Sequence, residues 1–162
     1  MNGMVMNRIT LLAFVGIIGI ALLSCGEPKQ PASNNAANVF DKGDKITNNN
    51  FKGDVWLKNL VVADSSNPNA VGSVTFSPGA RTNWHSHPAG QIILAIDGVG
   101  YYQEKGSPKK IIKKGEAIKC PPNIAHWHGA SADSPFVQVA ITGREKGETV
   151  WLEPVSDDEY NH

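Results

Sequence analysis

The sequence is poor in cysteine, has no excess charge of either sign, and has few long runs of helix-forming residues in its body. Only two cysteines occur among 162 residues, and the 15 basic and 15 acidic residues give a formal net charge of zero. The basic residues are scattered, which argues against nucleic acid as a partner. In contrast, 16 glycines and ten prolines are present. This composition favours a single domain of many short strands and turns.

Residues 1–24 have the features of a signal peptide. Arg8 precedes the apolar run Ile9–Leu23, and no acidic residue occurs before Glu27. The run is roughly fifteen residues long, shorter than the ~20 that cross a bilayer comfortably. It ends in Leu22-Leu23-Ser24-Cys25, which resembles a bacterial lipobox and predicts lipidation of Cys25. An ordinary secretory signal and a short uncleaved anchor are the alternatives, and all three place the domain outside the cytoplasm.

Lipidation of Cys25 would leave Cys120 as the only thiol, so no intramolecular disulfide is expected. We interpret Cys120 as a buried or turn-associated thiol. Gly26 stands where many inner-membrane lipoproteins have aspartate, which favours an anchor that faces the periplasm or lies in the outer membrane. Residues 25–45 are rich in Pro, Asn, Ala, Ser and Gln and predict a flexible tether. Residues 46–162 then form the folded domain.

Apolar runs and turn signals alternate through this domain at a spacing typical of all-β folds. The sequence predicts strands over Val55–Val62, Ala70–Ser77 and Pro135–Thr142. Residues 148–153 predict an edge strand. Ser156-Asp157-Asp158-Glu159 has the spacing of a capping box and predicts a short C-terminal helix.

Two glycine-containing pairs predict tight reversals of the chain. Asp97-Gly98 lies between Ile92–Ile96 and Val99–Gln103, and Asp-Gly is favoured in two-residue type I′ turns because both positions need positive φ. This predicts a β-hairpin. Lys114-Gly115 predicts a second reversal between residues 109–113 and 116–120.

Four of the five histidines occur in two His-x-His pairs, His85 with His87 and His126 with His128. On a strand, alternate side chains share a face, so each pair points to one side. A single such pair is often solvent-facing, whereas two pairs could converge inside a small barrel and bind a divalent metal. Zinc, iron, copper, nickel and manganese all accept imidazole and oxygen donors, and the spacing does not choose among them.

The residues around these pairs have less specific interpretations. Trp84 and Trp127 lie on the faces opposite the histidines and are expected to pack in the core or at an interface. Arg81 shares the parity of His85, and we expect a salt bridge at the barrel rim. Two strand faces could line a pocket or simply pack in the core; their residues are Gly72, Val74 and Phe76, and Gln138, Ala140 and Thr142.

The first histidine pair lies in a pattern that resembles the first cupin motif, G-x5-HxH-x3,4-E-x6-G. Gly79, His85, His87 and Gly98 match, and Gln91 stands where glutamate is usual.

The second pair lies in a pattern that resembles the second cupin motif, G-x5-PxG-x2-H-x3-N. Gly115, Pro121 and His126 match, whereas Asn123 replaces the glycine and Ala130 the final asparagine. The resemblance implies an all-β cupin fold, a double-stranded β-helix or jelly-roll barrel, with a short C-terminal helix.

Within the cupins, residues 50–160 resemble the manganese-dependent hydroxynitrile lyases and their single-domain relatives. The matching runs are Gly72-x-Val74-Thr75-Phe76, Pro78-Gly79-Ala80-Arg81-Thr82-x-Trp84-His85-x-His87-Pro88-x-Gly90-Gln91, His126-Trp127-His128-Gly129-Ala130 and Trp151-x-Glu153.

This resemblance implies one divalent metal, manganese by preference, with iron, zinc, nickel and copper as alternatives. Its ligands would be His85, His87, Gln91 and His126. A neutral amide in place of a carboxylate leaves the site more positive, which strengthens the metal as a Lewis acid. His128 would be the acid/base that handles the hydroxyl proton of a cyanohydrin. The alternative for His128 is a residue that only orients the metal ligands by hydrogen bonding.

Three functions follow from these motifs. The first is a metal-dependent lyase of the hydroxynitrile-lyase kind acting on a small molecule. The second is a metal-dependent dioxygenase of phenolic or dicarbonyl compounds, and the third is a non-enzymatic extracytoplasmic protein that binds a metal or small ligand. Membrane contact is expected only through the lipid anchor. A homodimer or higher homo-oligomer is also expected, since cupins of this size commonly assemble.

Overall fold

A computed structural model describes Met1 and residues 39–162 of the chain. The predicted signal peptide after Met1, the lipidation site at Cys25 and the predicted tether up to residue 38 lie outside the described residues. Within the described part, no helix has both the length and the apolar character that a membrane span requires.

The described part contains twelve β-strands and one short helix. They are β1 (Asp44–Lys45), β2 (Phe51–Lys52), β3 (Val55–Val61), β4 (Asn69–Phe76), β5 (Arg81–Thr82), β6 (His85–Ser86), β7 (Gln91–Glu104), β8 (Lys110–Lys113), β9 (Ala117–Cys120), β10 (His126–Ala130), β11 (Phe136–Gly143), β12 (Val150–Trp151) and α1 (Asp157–Asn161). This confirms the predicted all-β fold with a short C-terminal helix.

The strands form two antiparallel layers that share the long strand β7. The first layer has the order β1-β3-β4-β11-β7-β9. The second has the order β2-β5-β10-β7-β8, and β6 pairs with both β10 and β12. Strand β7 therefore connects the layer that carries β4 and β11 with the layer that carries the second histidine pair.

The predicted strands agree with β3, β4 and β11 to within one residue at each end. Between β3 and β4, the Asp64 carboxylate accepts hydrogen bonds from the backbone N–H groups of Ser66 and Asn67, at 2.8 Å each, which closes the loop. The predicted edge strand at residues 148–153 is shorter than expected, because only Val150–Trp151 pairs with β6.

The interior holds one main core and one satellite cluster. Phe76, Phe136, Tyr102, Ile93 and Ile112 are all fully buried in the main core. The satellite cluster lies under the C-terminal segment and contains Trp84, Trp127, Val155 and Tyr160. Both tryptophans are therefore packing residues, as the alternation of side chains predicted.

The predicted hairpin at Asp97-Gly98 is wrong. Strand β7 continues through this pair from Gln91 to Glu104, and the pairing with β11 shifts register here, because Val137 pairs with Asp97 and Gln138 with Ala95. Gly98 has the positive φ expected of it, 76°. A Cβ atom there would lie 1.9 Å from the Pro135 carbonyl oxygen. The positive φ was therefore correct for Gly98 but not for Asp97, and it accompanies a β-bulge that carries β7 from one layer to the other.

The predicted reversal at Lys114-Gly115 is also wrong. Strands β8 and β9 both run antiparallel to β7, β8 along residues 99–102 and β9 along residues 91–94. The pair is therefore a corner at which the chain follows the bend of β7. The reversal lies earlier, after β7, where the backbone N–H of Ser107 donates to the Glu104 carbonyl at 2.9 Å.

The C-terminal helix begins with the predicted capping box. Ser156 Oγ accepts from the backbone N–H of Glu159 at 3.1 Å, and the Glu159 carboxylate accepts from the backbone N–H of Ser156 at 2.8 Å. The helix is joined to the barrel by Tyr160, whose hydroxyl donates to the Ala130 carbonyl at 2.8 Å. Arg81 forms the expected salt bridge, with Nη2 2.6 Å from the Asp157 carboxylate.

Candidate metal centre

The four paired histidines converge in the barrel interior. His85 and His126 are direct partners across β6 and β10, and their ring centroids lie 4.4 Å apart. The His87 ring lies 5.0 Å from His85 and 5.4 Å from His126. The His128 ring lies 5.2 Å from His85. All four side chains are buried, and the two segments that carry them are far apart in sequence, so the sheet pairing creates the cluster.

Two of these imidazoles are held by backbone carbonyls two residues earlier in the chain. His85 Nδ1 lies 2.9 Å from the Asn83 carbonyl oxygen, and His126 Nδ1 lies 2.9 Å from the Ile124 carbonyl oxygen. A carbonyl only accepts, so Nδ1 carries the proton in both rings. Nε2 therefore keeps its lone pair, and both rings present a metal-binding nitrogen to the interior.

The other two imidazoles are held differently. His87 Nδ1 lies 3.2 Å from the Thr149 hydroxyl, and its buried Nε2 has no hydrogen-bond partner among the described residues. In His128 the buried atom that lacks a partner in the described part of the chain is Nδ1. The His128 ring packs edge-on against Phe76, with centroids 5.8 Å apart. His87 thus resembles His85 and His126 in that its Nδ1 contacts a protein oxygen, whereas His128 Nδ1 has no partner among the described residues.

The Gln91 side chain lies beside His87, and a hydrogen bond holds its amide nitrogen. Its Nε2 donates to the Thr142 hydroxyl at 2.9 Å. Its Oε1 receives only a long contact, 3.9 Å, from the Cys120 thiol. Cys120 is buried, as the sequence predicted, and burial raises its pKa to about 12, which keeps the thiol protonated. The amide oxygen therefore has no strong donor and is available as a ligand atom.

Asn123 explains how this chain departs from the glycine of the second cupin motif. It has φ of 60°, the left-handed conformation, which asparagine tolerates better than most residues. Its backbone N–H donates to the His87 carbonyl at 2.9 Å. The turn before β10 is thereby tied to the segment after β6, which holds the two histidine pairs in register.

The buried site keeps the imidazoles neutral. Burial is the main cause that lowers the pKa of each histidine, and the neighbouring imidazoles lower the values of His85, His87 and His128 further. The pKa of His87 falls to about 3. Because metal ligation requires the unprotonated ring, the pocket is prepared to bind a cation at neutral pH without first releasing protons.

The residues fit a single metal ion. His85, His126 and His128 each offer a ring nitrogen, and these atoms all lie within 4.8 Å of one another. His87, in the predicted ligand set, lies outside this tightest group, and His128, predicted as the acid/base, lies within it. The buried Nε2 atoms of His87 and His126, which lack partners among residues 39–162, are the kind of donor that a metal would satisfy.

Comparison with known proteins decides the family. The Cupin domain family pattern matches residues 72–142. The (R)-mandelonitrile lyase of Granulicella tundricola is 39% identical over 111 residues, which cover 68% of this chain and 85% of that protein. The chain belongs to the cupin family.

Two solved structures resemble this fold. A cupin-like protein from Thermotoga maritima superposes with a TM-score of 0.73 at 44% identity, over 76% of this chain and 94% of that one. The DMSP lyase DddQ from Ruegeria pomeroyi superposes with a TM-score of 0.55 at 20% identity, over 64% of this chain and 54% of that one. The second likeness concerns the fold alone.

Two residues near this cupin site were not singled out as site residues from the sequence. Thr149 contacts His87 from a loop far along the chain, and no local pattern marks it. Thr142 was recognised only as a residue that lines an interior strand face, although its hydroxyl accepts from Gln91. Both contacts depend on tertiary packing, and a hydroxyl on an inner strand face near a histidine pair is the one signal that could have indicated Thr142.

Proposed function

We propose that this cupin is a metal-dependent lyase of the hydroxynitrile-lyase kind. Its substrate would be a small cyanohydrin, and its products an aldehyde or ketone and hydrogen cyanide. The observation that carries the proposal is the His128 imidazole, which is buried beside three histidines with held Nδ1 atoms but has no hydrogen-bond partner for its own Nδ1 among the described residues. The similarity to a mandelonitrile lyase supports the choice of substrate class.

In this proposal His85, His87, Gln91 and His126 hold the metal. The three histidines share one orientation, and metal-ligating histidines almost always donate their other ring N–H to a protein group. His128 has no such anchor in the described structure, which favours a role other than ligation. The metal would supply Lewis-acid stabilisation of the substrate oxygen. Manganese is proposed from the resemblance of the motif runs to manganese-dependent lyases.

His128 would move the proton. Its burial keeps the imidazole neutral, so in the tautomer that carries its proton on Nε2 the ring accepts the cyanohydrin hydroxyl proton at Nδ1. The electrons of the broken O–H bond form the carbonyl, and the bond to the nitrile carbon breaks with its electrons on cyanide. The protonated imidazole then returns the proton, which gives hydrogen cyanide and restores the neutral ring.

The decisive experiment is His128→Ala in the purified protein, with metal content and cyanide release from mandelonitrile measured on the same sample. We expect the metal to remain and kcat to fall by about 10²- to 10⁴-fold, the usual contribution of a general acid–base group. His162→Ala, at the exposed C-terminus, is the control. Loss of metal in His128→Ala would make this histidine a ligand. Oxygen uptake by the wild type without cyanide release would instead indicate a dioxygenase.

The predicted cellular location and oligomeric state remain proposals. We infer an extracytoplasmic protein with a lipid on Cys25, facing the periplasm or in the outer membrane, and a homodimer or higher oligomer. Labelling with a radioactive fatty acid in cells, with Cys25→Ser as the control, tests the anchor. Sedimentation of the purified protein tests the assembly.

A further inference from the structure

Gln138 is a buried side chain whose amide is unsatisfied at both ends. It is 0% exposed, and neither Nε2 nor Oε1 has a hydrogen-bond partner in the described part of the protein. Buried amide groups in folded proteins nearly always have at least one partner, and an unpaired group destabilises the fold. An unbranched apolar side chain of similar length could occupy the same place without that cost.

Gln138 lies on the inner face of β11, between two contacts that reach the histidine cluster. Two residues before it, Phe136 stacks on Phe76, and Phe76 packs edge-on against His128. Four residues after it, Thr142 accepts from Gln91. Residues two and four apart on a strand share a face, so Gln138 projects into the interior between these contacts.

The strands beside Gln138 provide no polar side chain for its amide. Its cross-strand partners are Val74 on β4 and Ala95 on β7, both apolar and buried. The nearest residues on the same face of β11 are Phe136 and Ala140. The cross-strand neighbours of Gln138 are therefore apolar, so its amide is a neutral donor and acceptor set among apolar side chains.

We propose that Gln138 is a substrate-binding residue, which hydrogen-bonds the nitrile nitrogen of a small uncharged substrate through Nε2. This inference rests on the proposed lyase function. A donor at that nitrogen becomes more favourable as the C–C bond breaks, because negative charge develops on the departing cyanide. A neutral amide among apolar neighbours selects against charged substrates, whose desolvation it could not offset.

The test compares Gln138→Met with Gln103→Met. Gln103 is a matched control, because its amide is satisfied at both ends, donating to the Ser107 carbonyl at 2.9 Å and accepting from Trp127 Nε1 at 2.8 Å. We expect Gln138→Met to keep its metal, to melt at the wild-type temperature or about 3 °C higher, and to lose at least about tenfold in kcat/KM. Gln103→Met should melt lower and keep its kcat/KM.

A readout without turnover separates this inference from the lyase proposal. Phenylacetonitrile has the nitrile but lacks the hydroxyl, so it cannot be cleaved in the same way. In the wild type, its bound nitrile stretching band should shift to higher frequency as expected for a hydrogen-bonded nitrile, and in Gln138→Met the shift should disappear. If the wild type releases no cyanide from mandelonitrile, the lyase proposal fails. The infrared and melting measurements still test whether Gln138 binds the nitrile.

Two outcomes would overturn the inference. One is a fall in melting temperature for Gln138→Met as large as that for Gln103→Met, which would show that the amide stabilises the fold. The other is an unchanged nitrile band in Gln138→Met. If Gln138→Met is insoluble, Gln138→Leu takes its place with the same expectations.

Discussion

The first and second members of the two histidine pairs differ in how they are held. His85 and His126 face each other across paired strands, and each donates Nδ1–H to a carbonyl two residues earlier. His87 relies on the Thr149 hydroxyl of a distant loop, and His128 Nδ1 has no partner among residues 39–162. The same His-x-His spacing therefore places four imidazoles in the interior, but their Nδ1 atoms have different hydrogen-bond partners.

This difference shows that the position of each histidine and its chemical role have different structural causes. Strand alternation determines that all four rings enter the barrel. In the proposed site, the partner of each Nδ1 atom would determine which ring serves as a ligand and which exchanges a proton. The first members are fixed by backbone, which no side-chain substitution removes. Among the described residues, His87 Nδ1 contacts a hydroxyl and His128 Nδ1 has no partner, so the roles of the second members are open to change.

The largest expected effect comes from removing a proposed metal ligand, His126 or His87. His126→Ala should reduce metal from close to one ion per chain to nearly none, because it removes a ring with a fixed Nδ1 and an Nε2 that has no partner in the described part of the chain. His87→Ala should do the same, since its Nε2 has the same orientation. Elemental analysis of proteins grown in manganese-supplemented medium measures this, and His162→Ala is the control. A metal-loaded His126→Ala would remove this residue from the ligand set.

A smaller effect should come from the one hydroxyl that holds a second member. Thr149→Val keeps the side-chain shape but removes the oxygen that lies 3.2 Å from His87 Nδ1. Partners of this kind typically contribute about 10- to 100-fold in metal affinity. Competition with a chelator of known affinity measures the loss, and Thr149→Ser, which keeps the hydroxyl, should restore wild-type binding. Equal affinities for the valine and serine variants would show that the contact does not orient His87.

The sequence was sufficient for the parts of the fold that depend on local alternation. The convergence of His85 with His126 and the outward packing of Trp84 and Trp127 follow from period-two strands and two motif spacings. The capping box at Ser156 was also predictable, because its two hydrogen bonds join residues three apart. These features need no information from elsewhere in the chain.

The errors and omissions involve contacts between distant segments. Asp97-Gly98 favours positive φ, and both a hairpin and a β-bulge use that preference. The Pro135 carbonyl beside Gly98, which accompanies the bulge, belongs to the segment before β11. Thr149 beside His87 and the unsatisfied amide of Gln138 likewise emerge only when the strands are paired. Local sequence thus predicted which residues enter the barrel but not what each one contacts there.

The smallest expected effect concerns the acid stability of the metal-free protein. The pKa of His87 is about 3 in the fold, against about 6.5 in an unfolded chain. Between these values only the unfolded chain takes up the proton, so the stability contributed by this group is complete above pH 6.5 and is lost as the pH falls towards 3. His87→Leu should therefore reduce the slope of unfolding free energy against pH by on the order of 1 kcal/mol per pH unit. Denaturant titrations of chelator-treated protein between pH 7 and 5 measure the slope. His162→Asn, at the exposed terminus, should leave it unchanged, and equal slopes for His87→Leu and the wild type would mean that His87 is not held neutral by the barrel.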